Sequence, residues 1–267
     1  MEQESPSTHQ CPLCGSQQQR LVTSRSGYDI FACGQCRLEY VFPLLKPDEV
    51  LDYYDTEKTR RYRELAGVRP SRVDEPRDGE QDAYRPQGGR FRMWDRCRVA
   101  RWILKKTKGG RLLDVGCSQG DLVAAADEVP QFEAVGLDLN RPALGYAESR
   151  GLSVKHGYLE HPPFEPESFD VVVLWHTLEH VGDPKAALTA VHNVLRPGGW
   201  FVCCAPSPAH PKARLVGRNW HHYCPPVHLW FFSEPNMRLL CEQCGLNLVE
   251  TSLFHYHADM TALARKA

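Results

Sequence analysis

The sequence predicts an α/β fold carrying a small cysteine-rich appendage, and three observations predict it. From residue 91 onward, strand-like apolar runs alternate with helix-like amphipathic ones, the pattern of a sheet with crossover helices. Near the end the alternation stops: "LNLVETSLFHY" and "DMTALARKA" are two strand-like runs with no helix between them, which reads as an antiparallel hairpin. Residues 11–42 hold two Cys-x-x-Cys pairs in a stretch too short to build a core of its own. The chain of 267 residues is long enough for one medium domain plus such an appendage.

Taken in order, the first segment, residues 1–45, reads as a zinc ribbon. Cys11 and Cys14 form one knuckle, Cys33 and Cys36 the other, with eighteen residues between the inner pair. Two residues between thiols let one tight turn aim both sulfurs at a single ion, and Gly15 and Gly34 permit the close backbone approach. The intervening "LVTSRSGYDIFA" reads as a hairpin. Because so small a segment has little core, the metal is expected to be structural, supplying most of its folding free energy. Residues 46–90 are rich in Pro, Gly and charge, and read as a linker or mobile lid. Residues 91–267 form the main domain. Its helical pattern opens at 91–106, followed by strands at 111–115, 133–138, 153–156, 169–174 and 200–205, and helices at 121–128, 142–150, 184–195 and 234–244.

Composition narrows the function. With 42% apolar and 24% charged residues and a formal net charge of −1, the protein has no bulk attraction for nucleic acid or an anionic membrane. "MEQESPSTHQ" lacks the apolar core of a signal peptide and no run approaches a membrane span, so a cytoplasmic location and no membrane partner are expected. Eleven cysteines in a reducing compartment point to metal ligation and burial rather than disulfides. Cys241 and Cys244 end a helical pattern before Gly245, and core-facing thiols are favoured over a second metal site completed by Cys224 or His228.

The glycine turn after the first strand of the main domain carries the chemistry. "LLDVGCSQGDLVAAA" lacks both the Gly-x-Gly-x-x-Gly of dinucleotide sites and the Gly-x-x-x-x-Gly-Lys-Ser/Thr of triphosphate sites. Asp114 at the strand tip would repel phosphate. Twenty-four residues on, Asp138 ends "AVGLD", where a carboxylate can accept both hydroxyls of a ribose. A nucleoside with a cationic, phosphate-free tail fits such a loop, and S-adenosylmethionine is one.

At this point residues 100–267 resemble a class I S-adenosylmethionine-dependent methyltransferase, with a catalytic domain similar to the ubiquinone-pathway O-methyltransferases. "LLDVGCSQG", "VGLDLN", "SFDVVVLWHTLEHVGDPKAAL", "NVLRPGGWFVCCAP" and "HLWFFSEPNMRLLCEQCGL" match successive family motifs in order, and "TALARKA" resembles the closing strand. The resemblance implies a Rossmann-like, seven-stranded mixed sheet of order 3-2-1-4-5-7-6 with the last strand antiparallel, binding the cofactor across the carboxyl ends of its first strands. It implies that Gly116 and Gly120 pass the methionine half, that Asp138 holds the ribose, and that Leu139 flanks the adenine. Asp114 and Trp175 complete the cofactor set. Where the family has Gly-Asp after the third strand this chain has Gly157-Tyr158, so Tyr158 and Leu159 are expected to line the base in place of that acid.

Methyl transfer is an in-line displacement, so positioning and exclusion of water carry most of the catalysis and a base is needed mainly for a hydroxyl acceptor. "WHTLEHVGDP" supplies His176, Glu179 and His180 at the mouth of the fourth strand as catalytic candidates. The arrangement is similar to the Glu-x-x-Glu-His of the ubiquinone-pathway enzymes, which can bind a divalent cation; here histidine stands first. "NWHHYCPPVHLWFF" is expected to roof an acceptor pocket or to close a sheet edge. "RFRMWDRCRVARWILKKTKGGR" carries nine Lys or Arg and one acid, favoured as a solvated helix face over an RNA footprint. The expected reaction is methylation of a small-molecule acceptor, a sugar or secondary metabolite, preferably on oxygen. RNA methylation is the rival, disfavoured because the similar zinc-finger ribosomal enzymes have histidine in place of the Cys36-like ligand. A zinc-ribbon interaction module on a non-catalytic fold is the second.

Overall fold

The computed structural model describes residues 9–45, 49, 90–253 and 258–267, and the segment expected as a linker or lid lies outside them except for Glu49 and Arg90. Three short strands come first: β1 (Gln19–Arg25), β2 (Tyr28–Cys33) and β3 (Glu39–Phe42). The main body then runs α1 (Arg90–Thr107), β4 (Gly110–Val115), α2 (Asp121–Asp127), β5 (Phe132–Asp138), α3 (Arg141–Ser149), β6 (Val154–His156) and β7 (Phe169–Trp175). A 3-10 turn, Leu178–His180, leads to α4 (Pro184–Val194), β8 (Leu195–Pro206), α5 (Pro211–Val216), a second 3-10 turn (Gly217–Asn219), β9 (Trp230–Phe231), α6 (Glu234–Gln243), β10 (Leu246–Ser252) and β11 (Asp259–Lys266).

Seven strands form one sheet of order β6-β5-β4-β7-β8-β11-β10, with β11 antiparallel to both neighbours. Numbering the seven in chain order reproduces the expected 3-2-1-4-5-7-6. The period of two explains why central strands read as continuous apolar runs. Leu113, Val115, Val172, Leu174, Phe201 and Cys203 face one layer with α4 and α6, while Leu112, Val171, Val173, Val202 and Cys204 face the other with α1 and α2.

Helix starts follow local chemistry. The Asn140 side chain accepts from Ala143 N at 2.9 Å to cap α3, Asp183 accepts from Lys185 N and Ala186 N to cap α4, and a proline occupies the first turn of each. Glycine 245, at φ +74°, ends α6, whose Cys241 and Cys244 are buried in the core. No helix among the described residues is long and apolar enough to cross a membrane.

The cysteine-rich segment extends across its expected boundary. Its sheet has four strands, β1-β2-β3-β9, the last contributed by residues 230–231 of the main body. Cys11, Cys33, Cys36, Leu38 and Tyr40 are buried in the same apolar cluster as Leu178, Trp230 and Met237. Sequence reading assigned "HLWFF" to a roof or a sheet edge; it closes the edge of the ribbon's sheet.

Candidate functional site

The four ribbon thiols converge as their spacing requires. Both knuckles make the same turn, Gly15 N donating to Cys11 O and Arg37 N to Cys33 O. The left-handed residue is Gly15 (φ +73°) in the first and Arg37 (φ +63°), not Gly34, in the second. Gly34 instead lets the chain pass close to Gln18, whose carbonyl accepts from its amide at 2.7 Å. Cys11 Sγ lies 3.6 Å from Cys36 Sγ and Cys14 Sγ 3.5 Å from Cys33 Sγ, and all four sulfurs lie within 4.8 Å of one another. Four thiolates about 2.3 Å from one tetrahedral ion would stand about 3.8 Å apart, so the donor set fits zinc.

At the carboxyl edge of β4, β5 and β6, the expected cofactor residues come together. Gly116 turns the chain at φ +75°, and a Cβ there would collide with Thr177, whose hydroxyl donates to Val115 O at 2.9 Å. Gly120 starts α2 at φ +79°, where a Cβ would sit 2.7 Å from Leu152 Cδ1. Asp138 ties the two loops together: one carboxylate oxygen accepts from Ser118 N and the other from Asn140 N, both at 2.7 Å. Burial raises its pKa against the pull of these amides. Asp114 is buried and pushed up to about 7, by desolvation first, with Arg96 opposing and Asp138 and Asp121 adding to it. Leu139 follows at the edge, Tyr158 is exposed and Leu159 buried beyond β6, whose end is tied to β5 by Gly157 N donating to Asp138 O. Trp175 is buried edge-on against Trp102 of α1, with the Arg96 guanidinium 5.9 Å from its ring.

The third assembly lies at the end of β7. His176 stands in the left-handed region at φ +56°, an uncommon conformation for a non-glycine residue, and its amide donates to Cys204 O. Its Nδ1 is 3.2 Å from Glu179 Oε1 and its Nε2 is 3.4 Å from Asp259 Oδ2. Burial opposes a charge on this ring, but Asp259, Cys204 and Glu179 outweigh it and raise its pKa well above the usual histidine range. In that state neither ring nitrogen keeps a free lone pair. Glu179 is fully buried; desolvation disfavours its charge, yet the bond to His176 and the nearby His180 and His228 hold it down to about 2.

His180 is arranged differently. Its Nδ1 donates to Val227 O at 2.7 Å, which leaves Nε2 unprotonated in the neutral ring, 3.9 Å from Glu179 Oε1. His228 repeats the pattern, its Nδ1 donating to His222 O at 3.0 Å. Burial and then its neighbour His180 lower the His228 pKa to about 3, and burial and then His221 lower that of His222 to about 4. The ligand atoms of Glu179, His180 and His228 lie within 4.8 Å of one another, as do those of His176, Cys204 and Asp259. His228 therefore joins Glu179, not Cys241 and Cys244; among the described residues that pair joins no metal-capable group.

Sequence reasoning missed Asp259. Because β11 runs antiparallel, its first residue pairs with Pro206, the last of β8, and so reaches the edge where the parallel strands end. An acid at the head of a strand that is otherwise mostly small or apolar up to Ala264 was the available signal.

Comparison with known proteins agrees with this geometry. A family model described as a methyltransferase domain matches residues 89–251. A ubiquinone biosynthesis O-methyltransferase of Aeromonas salmonicida is 28% identical over 172 residues, 58% of this chain and 71% of its own. A demethylmenaquinone methyltransferase of Lactiplantibacillus plantarum is 30% identical over 145 residues, 51% of this chain and 60% of its own. The solved structure of an S-adenosylmethionine-dependent methyltransferase from Thermotoga maritima superposes with a TM-score of 0.54 at 21% identity, over 67% of this chain and 91% of that one, a likeness of fold. With more than half of its length matched by the family model, and with the sheet order and the glycine turn in place, the chain belongs to the class I S-adenosylmethionine-dependent methyltransferases.

Proposed function

We propose that the protein methylates a hydroxyl oxygen of a small organic acceptor, a sugar or secondary metabolite, with His180 as general base. The observation that carries this reading is the fixed tautomer of His180. Its Nδ1–H is committed to the Val227 carbonyl, so the proton-accepting nitrogen is Nε2, which lies beside the buried Glu179 carboxylate. A proton arriving at Nε2 makes an imidazolium that the carboxylate stabilises. His176, confronting carboxylates on both sides, acts as the cation that keeps Glu179 ionised in the interior. The naming of one relative for O-methylation supports an oxygen acceptor.

The edge residues support a place for the cofactor. The Asp138 oxygens take the amides of Ser118 and Asn140 and keep lone pairs for ribose hydroxyls, and Gly116 and Gly120 keep the methionine side clear of Cβ atoms. Leu139, Tyr158 and Leu159 line the adenine side. When bound, S-adenosylmethionine supplies a methyl group already activated on a sulfonium. The ribbon, in this reading, holds one structural zinc ion through Cys11, Cys14, Cys33 and Cys36.

A second reading rests on a different observation. His180 and His228 both give Nδ1–H to carbonyls, His180 Nε2 lies 3.9 Å from Glu179 Oε1, and ligand atoms of the three residues lie within 4.8 Å of one another, an arrangement suited to a divalent cation. A cation there would polarise the acceptor oxygen in place of a base.

The test is turnover to the demethylated cofactor product with a panel of phenolic, sugar-hydroxyl and amine acceptors. His180→Ala lowers turnover on the order of a hundredfold while leaving cofactor affinity nearly unchanged. A much smaller loss indicates a nitrogen or carbon acceptor; unaltered turnover removes His180 from the mechanism, and activity lost with chelator favours the cation.

A further inference from the structure

We propose that the cysteine-rich ribbon is a positioning module for the Glu179–His180–His228 cluster, so that metal binding at Cys11, Cys14, Cys33 and Cys36 sets the geometry of the acceptor side. The proposal rests on the reading of that cluster as the acceptor side. The path is short and hydrogen-bonded throughout. β3 pairs with β9 through Glu39 opposite Phe231 and Tyr40 opposite Trp230, and Val41 N donates to Leu229 O at 3.0 Å. The same segment is bonded to the catalytic turn: Leu229 N donates to Glu179 O at 2.8 Å, Trp230 Nε1 to Val181 O at 2.6 Å, and His180 Nδ1 to Val227 O at 2.7 Å. His228 lies within this stretch. Residues 227–230 thus hang between the ribbon and the Leu178–His180 turn.

β9 is two residues long, and among the described residues β3 is its one sheet neighbour. A two-residue strand has no order of its own, so its backbone is fixed by what it pairs with. Side chains reinforce the pairing. Tyr40 stacks on Trp230 with ring centroids 6.5 Å apart, and the Tyr223 hydroxyl donates to the Glu39 carboxylate across the same interface. Tyr223 belongs to the segment that carries His222, whose carbonyl fixes the ring of His228. The ribbon in turn depends on its metal. Its buried residues are few, and the four thiol groups crowd within 4.8 Å of one another, a spacing that a central cation would stabilise. The cofactor edge at Asp114, Gly116 and Asp138 lies on other strands, and the hydrogen bonds that fix it come from Leu137, Ser118, Asn140 and Thr177.

The experiment uses the full chain, with and without zinc, and needs no methyl acceptor, so it fails or succeeds independently of the acceptor assignment. Amide hydrogen exchange is followed over residues 38–42, 178–182, 227–232 and 112–120, with calorimetry of S-adenosylmethionine. Zinc removal raises exchange at least tenfold at 227–232 and 178–182, and leaves exchange at 112–120 and cofactor affinity within about twofold. Trp230→Phe, which keeps the four thiols and loses one bond to Val181 O, raises exchange at 178–182 at full zinc content. Opening of 11–42 with 227–232 still protected overturns the proposal, as does a loss of protection that reaches 112–120 and abolishes cofactor binding. Coupling found together with a catalytically silent His180→Ala sinks the base assignment and leaves the positioning role standing.

Discussion

Replacing Asp138 by alanine isolates the recognition of the ribose. In the structure each of its oxygens already accepts one backbone amide at 2.7 Å, so the carboxylate is rigid before any ligand arrives. A bond from a ligand hydroxyl to a charged acceptor is worth about 1.5–3 kcal/mol, and two of them about 3–6 kcal/mol. At about 1.4 kcal/mol per tenfold, affinity for S-adenosylmethionine should fall between about a hundredfold and ten-thousandfold. The variant also frees the amides of Ser118 and Asn140, loosening both loops. A cofactor analogue lacking the 2′ and 3′ hydroxyls separates the two effects: loop loosening weakens both ligands alike, whereas lost hydroxyl bonds weaken only the natural one. Calorimetry on wild type and variant with each ligand closes this cycle. A coupling below about 0.5 kcal/mol would refute the ribose assignment. No heat from wild type with either the sulfonium or its demethylated product would refute cofactor binding itself, and a NAD titration would then be the next experiment.

Three further outcomes are expected. Elemental analysis should find one zinc per chain, lost in Cys33→Ser/Cys36→Ser; full occupancy in that variant would rule the site out. Gly116→Ala should destabilise the fold by about 1–3 kcal/mol in denaturant melts and weaken cofactor binding, since a Cβ there meets Thr177 and φ is +75°; a neutral effect on both contradicts the turn. His228 and His222 have folded pKa values depressed to about 3 and about 4 from 6.5, so the unfolded chain binds more protons and stability falls as pH drops below 6.5. His176, raised, works oppositely, its contribution fading as pH climbs above 6.5 through its folded value. His228→Gln should therefore flatten the acid limb of a melting-temperature profile, and an unchanged slope would place its titration elsewhere.

What the sequence made legible was whatever depends on local pattern. The apolar runs Leu112–Val115 and Phe169–Trp175, the two knuckles, and Asp114 and Asp138 at the tips of their strands are each written within a few neighbouring residues. The strand expected at 200–205 begins at Leu195, which pairs with Phe169 of β7, although "LRPGG" looks locally like a turn. Asp259 and the company of His228 were not legible, since both follow from the reversal of a strand and from a segment returning across the molecule. The pairing of β3 with β9 is of the same kind: no local period in "EYVF" or "WF" names its partner. Recognition of the family supplied the sheet order, which periodicity alone could not.

That pairing also constrains the order of synthesis. Glu39 and Phe231 face each other across roughly 190 residues of chain, so a ribosome releases β3 long before its partner exists. In the interval the strand presents open backbone groups and the side of Tyr40 to whatever is near, a ready template for pairing with another copy. Metal capture by the knuckles would make that edge better ordered and so stickier. On the proposed zinc site, early loading would thus be a hazard during translation and a requirement after it. Yields from overexpression should accordingly depend on when the metal is added as well as on how much.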